Sequence, residues 1–139
     1  MAGAFAIFAP FASLATNDDA RSFAIEAAIP WLDAKKNPYH LRETWWPQDS
    51  KVGEEMLNSH QLFARIDYRF WVACSDMRAK ISIQIYDEKG KLVGVEPAQK
   101  GHTANVRIVP AKSGTYYLRV VVEAAPGKSA HWAVVYAFR

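Results

Sequence analysis

The stretch Ser113-Gly114-Thr115-Tyr116-Tyr117-Leu118-Arg119-Val120-Val121-Val122 decides how the rest of this 139-residue chain can fold. It predicts a turn that feeds directly into a strand, because glycine permits turn conformations and the run after it is rich in β-branched and aromatic residues. Side chains alternate with a period of two along a strand. We therefore expect Tyr116, Leu118, Val120 and Val122 to face one way, and Tyr117, Arg119 and Val121 the other.

Segments on both sides of this stretch show the same alternation. Turn-forming residues such as Asp87-Glu88-Lys89-Gly90 separate them at intervals of about ten residues, and no helical pattern lies among them. The predicted inward-facing residues are Ile66, Tyr68, Phe70 and Val72 in Leu62 to Cys74, Ile81, Ile83 and Ile85 in the next strand, Val106 and Ile108, and finally Trp132, Val134, Tyr136 and Phe138. Such a series predicts an antiparallel β-sandwich over residues 61–139. In that setting we expect Tyr116 to be buried beneath its turn, with its hydroxyl bonded to nearby backbone, as in tyrosine corners.

Residues 1–60 do not show this strand pattern. Residues 1–15 carry no charge and are apolar apart from Ser13; they are too short for a transmembrane helix and match the h-region of a secretory signal peptide, although the positively charged n-region is missing. We expect a signal-peptide remnant, and the alternative is that this segment belongs to the folded protein. Asn17-Asp18-Asp19 then predicts the start of an amphipathic helix, whose apolar face includes Phe23 and Ala24 and which Pro30 ends or kinks near Ile29. We expect this helix to pack on the sandwich.

Residues 31–59 show little periodicity, and two X-Pro steps interrupt them. We expect an irregular wrap, with a short helical turn from Glu54 to Leu57. Its aromatic residues have two interpretations. They anchor the wrap to the sheet, or Trp45, Trp46 and Tyr39 form a stacking platform for a sugar. Trp71 lies on the charged face of its strand, which predicts that this face is partly covered, and it is a further candidate for binding a partner.

Four motifs, in this order, carry a resemblance to a known family: Tyr68-Arg69-Phe70-Trp71-Val72, the Ile81 to Val93 hairpin, Val106-Arg107-Ile108-Val109-Pro110, and the stretch from Ser113 to Val120. Together they resemble the bacterial pre-peptidase C-terminal domain, a jelly-roll-like sandwich of exported proteins. The resemblance implies an antiparallel jelly-roll-like β-sandwich, export, and a non-catalytic role in binding. Relatives in that family often carry Asp-rich strand starts that serve calcium, whereas here Arg78-Ala79-Lys80 stands at that place.

The sequence offers no constellation for catalysis or for a cofactor. His40, His60, His102 and His131 show no paired metal-ligand spacing, and neither a nucleophile elbow nor a phosphate-binding glycine loop is present. The single cysteine, Cys74, is expected to be a small buried residue at a strand end. The formal charge of +3 is too small and too scattered to favour nucleic acid. We therefore expect no enzyme, no cofactor and no metal.

Two functions lead at this stage, ahead of an enzyme with a site built from loop histidines and carboxylates and of single-stranded nucleic-acid binding through Arg65, Arg69, Arg107 and Arg119. The first is a secreted or periplasmic interaction module that docks onto a larger protein or an envelope assembly through a sheet face or the aromatic wrap. The alternative is a carbohydrate-binding module that uses Trp45, Trp46 and Tyr39. We expect neither a nucleic-acid partner nor a membrane span.

Overall fold

A computed structural model describes residues 17–95 and 101–139 of the chain. Within these residues, one helix, α1 (Asn17–Leu32), precedes eight strands. The strands are β1 (His40–Lys51), β2 (Glu55–Leu62), β3 (Tyr68–Cys74), β4 (Lys80–Tyr86), β5 (Leu92–Val95), β6 (Thr103–Ile108), β7 (Gly114–Ala124) and β8 (Ser129–Phe138).

The strands form two four-stranded antiparallel sheets that pack face to face. The first sheet has the order β1-β8-β3-β6 and the second the order β2-β7-β4-β5. Along the chain, strands β1 to β4 alternate between the two sheets, and so do strands β5 to β8. This arrangement is the eight-stranded double Greek key of a jelly roll. The expectation of an antiparallel jelly-roll-like β-sandwich is thus confirmed.

The core between the sheets is built from the strand faces that alternation predicts. Phe70 and Val72 of β3 meet Ile81, Ile83 and Ile85 of β4, all at most 1% exposed. The opening stretch supplies the centre of the second sheet, where β7 pairs with both β2 and β4. Its Tyr116, Leu118, Val120 and Val122 are all buried in this core, as expected.

A second, smaller core lies on the outer face of the first sheet. Helix α1 places Ala24 and Ala28, both fully buried, against Trp71, Ala73 and Val135. Alanine has no side chain beyond Cβ, so the helix can approach the sheet closely enough to cover a tryptophan. The predicted helix start and its packing on the sandwich are confirmed, and so is the cover over Trp71.

The expected irregular wrap over residues 31–59 is wrong, because β1 and most of β2 lie there. Pro47 is tolerated because β1 is an edge strand, where a missing N–H need not break a ladder. In β2 the alternation is present but concealed: polar Asn58 and His60 point inward while apolar Leu57 points outward. The expected helical turn at Glu54 to Leu57 is strand for the same reason, and the sandwich begins at His40, not at residue 61.

Two further boundaries differ from the expectation. Pro30 does not end α1 near Ile29; it lies in the last turn, and the N–H of Asp33 continues the helical pattern by donating to the carbonyl of Ile29 at 2.9 Å. The segment expected as one strand from Leu62 to Cys74 is divided by residues 63–67, where Arg65 adopts a positive φ of 68°. The apolar residues 1–15 lie outside the described residues, so the expected signal segment stays a prediction.

Candidate functional site

Two of the four aromatic residues predicted to bind a ligand are buried. Tyr39 is 2% exposed and Trp71 is 1% exposed. Their rings meet edge to face at a centroid distance of 6.2 Å, and Tyr39 makes a similar contact with Trp31 at 6.4 Å. A sugar could stack on either buried ring only if α1 moved away.

Trp45 and Trp46 lie in β1, beside β8. Their backbones pair with Val135 and Val134, after a register shift between Leu41 and Trp45. Their side chains lie outside the described part of the structure. The prediction that Trp45 and Trp46 bind a ligand stays a prediction. A stacking platform that also includes Tyr39 would have to use an aromatic ring that is already buried.

A polar cluster at the end of the first sheet explains why Tyr39 is held so firmly. The carboxylate of Asp67 accepts hydrogen bonds from the Tyr39 hydroxyl at 2.7 Å, from Arg139 Nε at 2.8 Å and from two nitrogens of Arg107, each at 3.0 Å. Arg139 also lies over the Tyr39 ring, 4.2 Å from its centroid. This Asp67 cluster joins β3, β6, the C-terminus and the segment after α1, so its role is structural.

Opposing effects act on the pKa of Asp67. Burial alone would raise it, because a carboxylate loses hydration in the protein interior. The hydrogen bonds from Arg107, Tyr39 and Arg139 outweigh burial and lower the pKa of Asp67 to about 2. The carboxylate is therefore charged throughout the neutral pH range, which fits a structural role.

The second sheet presents a different surface, which we call the open face: the outward side chains of Glu55, Leu57, Gln84, Tyr86, Tyr117 and Arg119. Helix α1 packs against β8, β3 and β1 of the first sheet, and within the described residues no helix lies over the second. Leu57 is 60% exposed and Tyr117 is 37% exposed. A depression of about 370 Å³ lies over these residues.

Hydrogen bonds between the polar side chains of the open face hold them in place. Arg119 donates to Glu55 Oε1 at 2.7 Å and to Gln84 Oε1 at 2.9 Å. Gln84 Oε1 also accepts a hydrogen bond from the Tyr86 hydroxyl at 3.0 Å. Tyr86 stands directly opposite Tyr117 in the ladder between β4 and β7. Cross-strand pairing thus brings two tyrosines and a constrained guanidinium together on one accessible surface.

A second concavity, the corner cleft, lies beside the opening stretch. Its walls are the β4–β5 hairpin, the end of β6 and residues 110–116, and its volume is about 600 Å³. The Tyr116 hydroxyl donates to the carbonyl of Lys112 at 2.7 Å, and the side chain is 8% exposed. The expected tyrosine corner is therefore confirmed, and it forms one wall of this cleft.

Two chemically reactive side chains are enclosed by the core. Burial lowers the pKa of the His60 imidazole to about 4; its ring lies 5.4 Å from that of Phe70 and 5.7 Å from that of Tyr136. Burial, assisted by the charge of Asp76, raises the pKa of the Cys74 thiol to about 12. Cys74 is thus an unreactive buried residue at a strand end, as the sequence predicts.

In the part of the chain that the structure describes, no group of three or more His, Cys, Asp or Glu side chains is placed to hold a metal ion. No helix in residues 17–95 and 101–139 is long and apolar enough to cross a membrane. In comparisons with known proteins, no family model matches the sequence and no curated protein matches it.

The residues of the open face were missed by the sequence analysis, although part of the pattern was visible. Tyr117 and Arg119 were assigned to the face of β7 that points away from the core, which the structure bears out. The sequence does not indicate their partner Leu57, because its pattern predicts an irregular segment where β2 lies. An exposed leucine opposite an outward arginine is recognisable only once the pairing of β2 with β7 is known.

Proposed function

We propose that this protein is a non-catalytic interaction module that docks onto a protein partner through the open face. The observation that carries the proposal is the contrast between the two sheets. Helix α1 covers the outer face of the first sheet, while the outer face of the second keeps Leu57 and Tyr117 in contact with solvent. An accessible apolar and aromatic centre with a polar surround is the composition of a protein interface.

The constrained Arg119 supports docking. Arginine and tyrosine are the residue types that most often dominate binding energy, together with tryptophan. The two hydrogen bonds from Arg119 to Glu55 and Gln84 already restrict its side chain before a partner arrives. Less conformational entropy is then lost on binding, so the open face is organised in advance for a rigid partner.

Carbohydrate is the second candidate ligand, at a different place from the one the sequence suggested. The opposed Tyr86 and Tyr117 lie beside the amide of Gln84 and the guanidinium of Arg119. Aromatic rings next to planar hydrogen-bonding groups can contact both the apolar faces and the hydroxyls of a sugar. This observation favours the open face over the enclosed Tyr39.

Our proposal includes a location outside the cytoplasm, secreted or periplasmic. It rests on the signal-like composition of residues 1–15 and on the resemblance of the strand motifs to the pre-peptidase C-terminal domain. Both are properties of the sequence. Mass spectrometry of the protein purified from its source organism tests this part, since removal of a signal would leave a mature chain that starts near Thr16.

The docking proposal is tested by affinity capture from native envelope extract with three forms of the protein. The parent and the Met77→Asp variant are expected to retain the same partner, whereas Leu57→Asp is expected to lose it. Met77 is the matched control because it is 67% exposed and lies in the β3–β4 loop, away from the open face. Both substitutions place an acid at an exposed apolar site, so neither should unfold the protein.

The results separate the two candidate ligands. Capture of identical proteins by all three forms, or of none by the parent, would contradict docking through the open face. Retarded migration of the parent in polysaccharide-containing native gels, abolished by Tyr86→Ala, would instead identify the face as a carbohydrate site. Thermal melting of each variant shows whether a loss of binding reflects a loss of folding.

A further inference from the structure

Three loops meet at the end of the sandwich that carries the corner cleft: residues 63–67, 87–91 and 109–113. The N–H of Arg65 donates to the carbonyl of Pro110 at 2.9 Å, and the N–H of Ala64 donates to Ser113 Oγ at 2.8 Å. Residues 87–91 and 109–113 face each other across the corner cleft. We call this surface the loop end.

The loop end exposes apolar side chains at its tips. Phe63 is 57% exposed and Val109 is 46% exposed. They belong to the two loops that the Arg65 and Ala64 hydrogen bonds hold together. A single exposed apolar residue is ordinary on a protein surface, but two on adjoining loop tips form a patch that an apolar environment would cover.

The same three loops also carry exposed cationic groups. They are Arg65, Lys89, Lys91 and Lys112. Of the acids in the same loops, Asp67 is held in its cluster with Arg107 and Arg139, and Asp87 accepts the backbone N–H groups of residues 89 and 91. Glu88 is the remaining exposed acid within these loops. With Arg107 and Arg139, which pair with Asp67, six cations face the three carboxylates of Asp67, Asp87 and Glu88, so the loop end carries a net positive charge.

We infer that the loop end docks onto the surface of an anionic lipid bilayer. Phe63 and Val109 enter the interfacial region, where apolar side chains are favoured. The lysines then lie at the level of the lipid phosphates, and the corner cleft of about 600 Å³ is wide enough to admit a headgroup. The loop end adjoins the depression on the open face at residues 87–90, but none of the residues substituted in its test belongs to the open face, so the inference is tested independently of the proposed function.

The opposite end of the sandwich provides a matched comparison. It carries Lys51, Lys80, Lys128 and Arg78, but Glu54, Asp76 and Glu123 stand among them, and Asp76 pairs with Arg78 at 3.0 Å. Three lysine-to-glutamine substitutions at either end lower the formal charge from +3 to 0. Any difference between the two triple variants therefore reports where the charges lie, not how many there are.

The test is co-sedimentation with vesicles of phosphatidylcholine, with and without phosphatidylglycerol. We expect the parent to bind the anionic vesicles and to be released by salt, which screens the attraction. Near an anionic surface each lysine contributes about fivefold to affinity, so Lys89→Gln/Lys91→Gln/Lys112→Gln should bind about 100-fold more weakly. Lys51→Gln/Lys80→Gln/Lys128→Gln should bind nearly as well as the parent, and Phe63→Ser about tenfold more weakly.

Any of three other results would overturn the inference. Equal binding to both vesicle compositions, or equal weakening by the two triple variants, would mean that the loop end does not select an anionic surface. Binding of soluble glycerol phosphate as tight as vesicle binding, with full affinity in Phe63→Ser, would make the corner cleft a site for small anions. All seven substituted side chains are exposed, so melting temperatures close to that of the parent are expected for every variant.

Discussion

Asp67→Asn is the substitution that most sharply tests how the sandwich holds its N-terminal helix. The carboxylate, only 13% exposed, receives four hydrogen bonds from Tyr39, Arg107 and Arg139. The fall in its pKa from 3.8 to about 2 corresponds to about 2 kcal/mol of stability, because one pKa unit equals about 1.4 kcal/mol. Asparagine keeps the shape but removes the charge, and its amide N–H₂ faces arginine donors. We expect a loss of about 2–4 kcal/mol at neutral pH.

The assay is urea unfolding of the parent and the variant from pH 7 to pH 2. Because folding depresses the pKa of Asp67, its stabilisation is fully present above the unfolded value of 3.8 and is lost as the pH falls through about 2. The difference between the two proteins should therefore be constant from pH 7 to about pH 5 and shrink below pH 4. Asp49→Asn is the control, since its ion pair with His131 is exposed and should contribute less than about 0.5 kcal/mol. A difference below about 0.5 kcal/mol for Asp67→Asn, or one that does not change with pH, would refute the reasoning.

Three further predictions concern the core and the corner. Since burial lowers the pKa of His60 from 6.5 to about 4, its neutral form stabilises the fold above pH 6.5, and acidification to pH 4 should cost about 3 kcal/mol. His60→Leu should remove this dependence between pH 6.5 and 4 in urea titrations, and an unchanged slope would show that His60 is not its source. Tyr116→Phe deletes the hydrogen bond to the Lys112 carbonyl and should lower the free energy of unfolding by about 1 kcal/mol. The control is Tyr117→Phe on the exposed face, and equal effects of the two substitutions would contradict the tyrosine-corner interpretation. Cys74 should resist iodoacetamide in the folded protein at pH 8 and react only in denaturant, because burial holds its pKa at about 12; modification as fast as that of a free thiol would disprove its enclosure.

The strands that could be predicted from the sequence are those with apolar inward faces. In β4 and β7 the isoleucines and valines recur at every second position, and hydrophobic burial alone then fixes which side faces the core. The position of Tyr116 followed from the same alternation together with the turn before it. These features depend on neighbours within a few residues, so the local sequence contains the information.

The first two strands could not be predicted, for reasons that lie in tertiary structure. Asn58 and His60 occupy inward positions of β2, where polarity normally indicates solvent, and Pro47 reads as a strand breaker unless β1 is known to be an edge. The order of the strands within the sheets determines both which side of β2 faces the core and whether Pro47 is compatible with a strand. It also decides which sheet the helix covers, and hence that Tyr39 is enclosed while Leu57 and Tyr117 stay accessible.

The candidate sites depend still more on contacts between distant parts of the chain. Arg119 meets Glu55 across 64 residues, and Arg139 meets Asp67 across 72. The sequence shows that these charges exist but not which ones pair. In the Asp67 cluster, long-range pairing stabilises the fold. On the open face, the aromatic and apolar side chains remain accessible to a partner.

Photo-crosslinking in the source organism tests the central claim, docking through the open face, most directly. A benzophenone amino acid replaces Tyr117 in one form of the protein and Met77 in another, and each is irradiated in living cells. The account predicts a discrete covalent adduct with one partner from the site of Tyr117 and none from the site of Met77. No adduct from the site of Tyr117, or the same adducts from both sites, would contradict it.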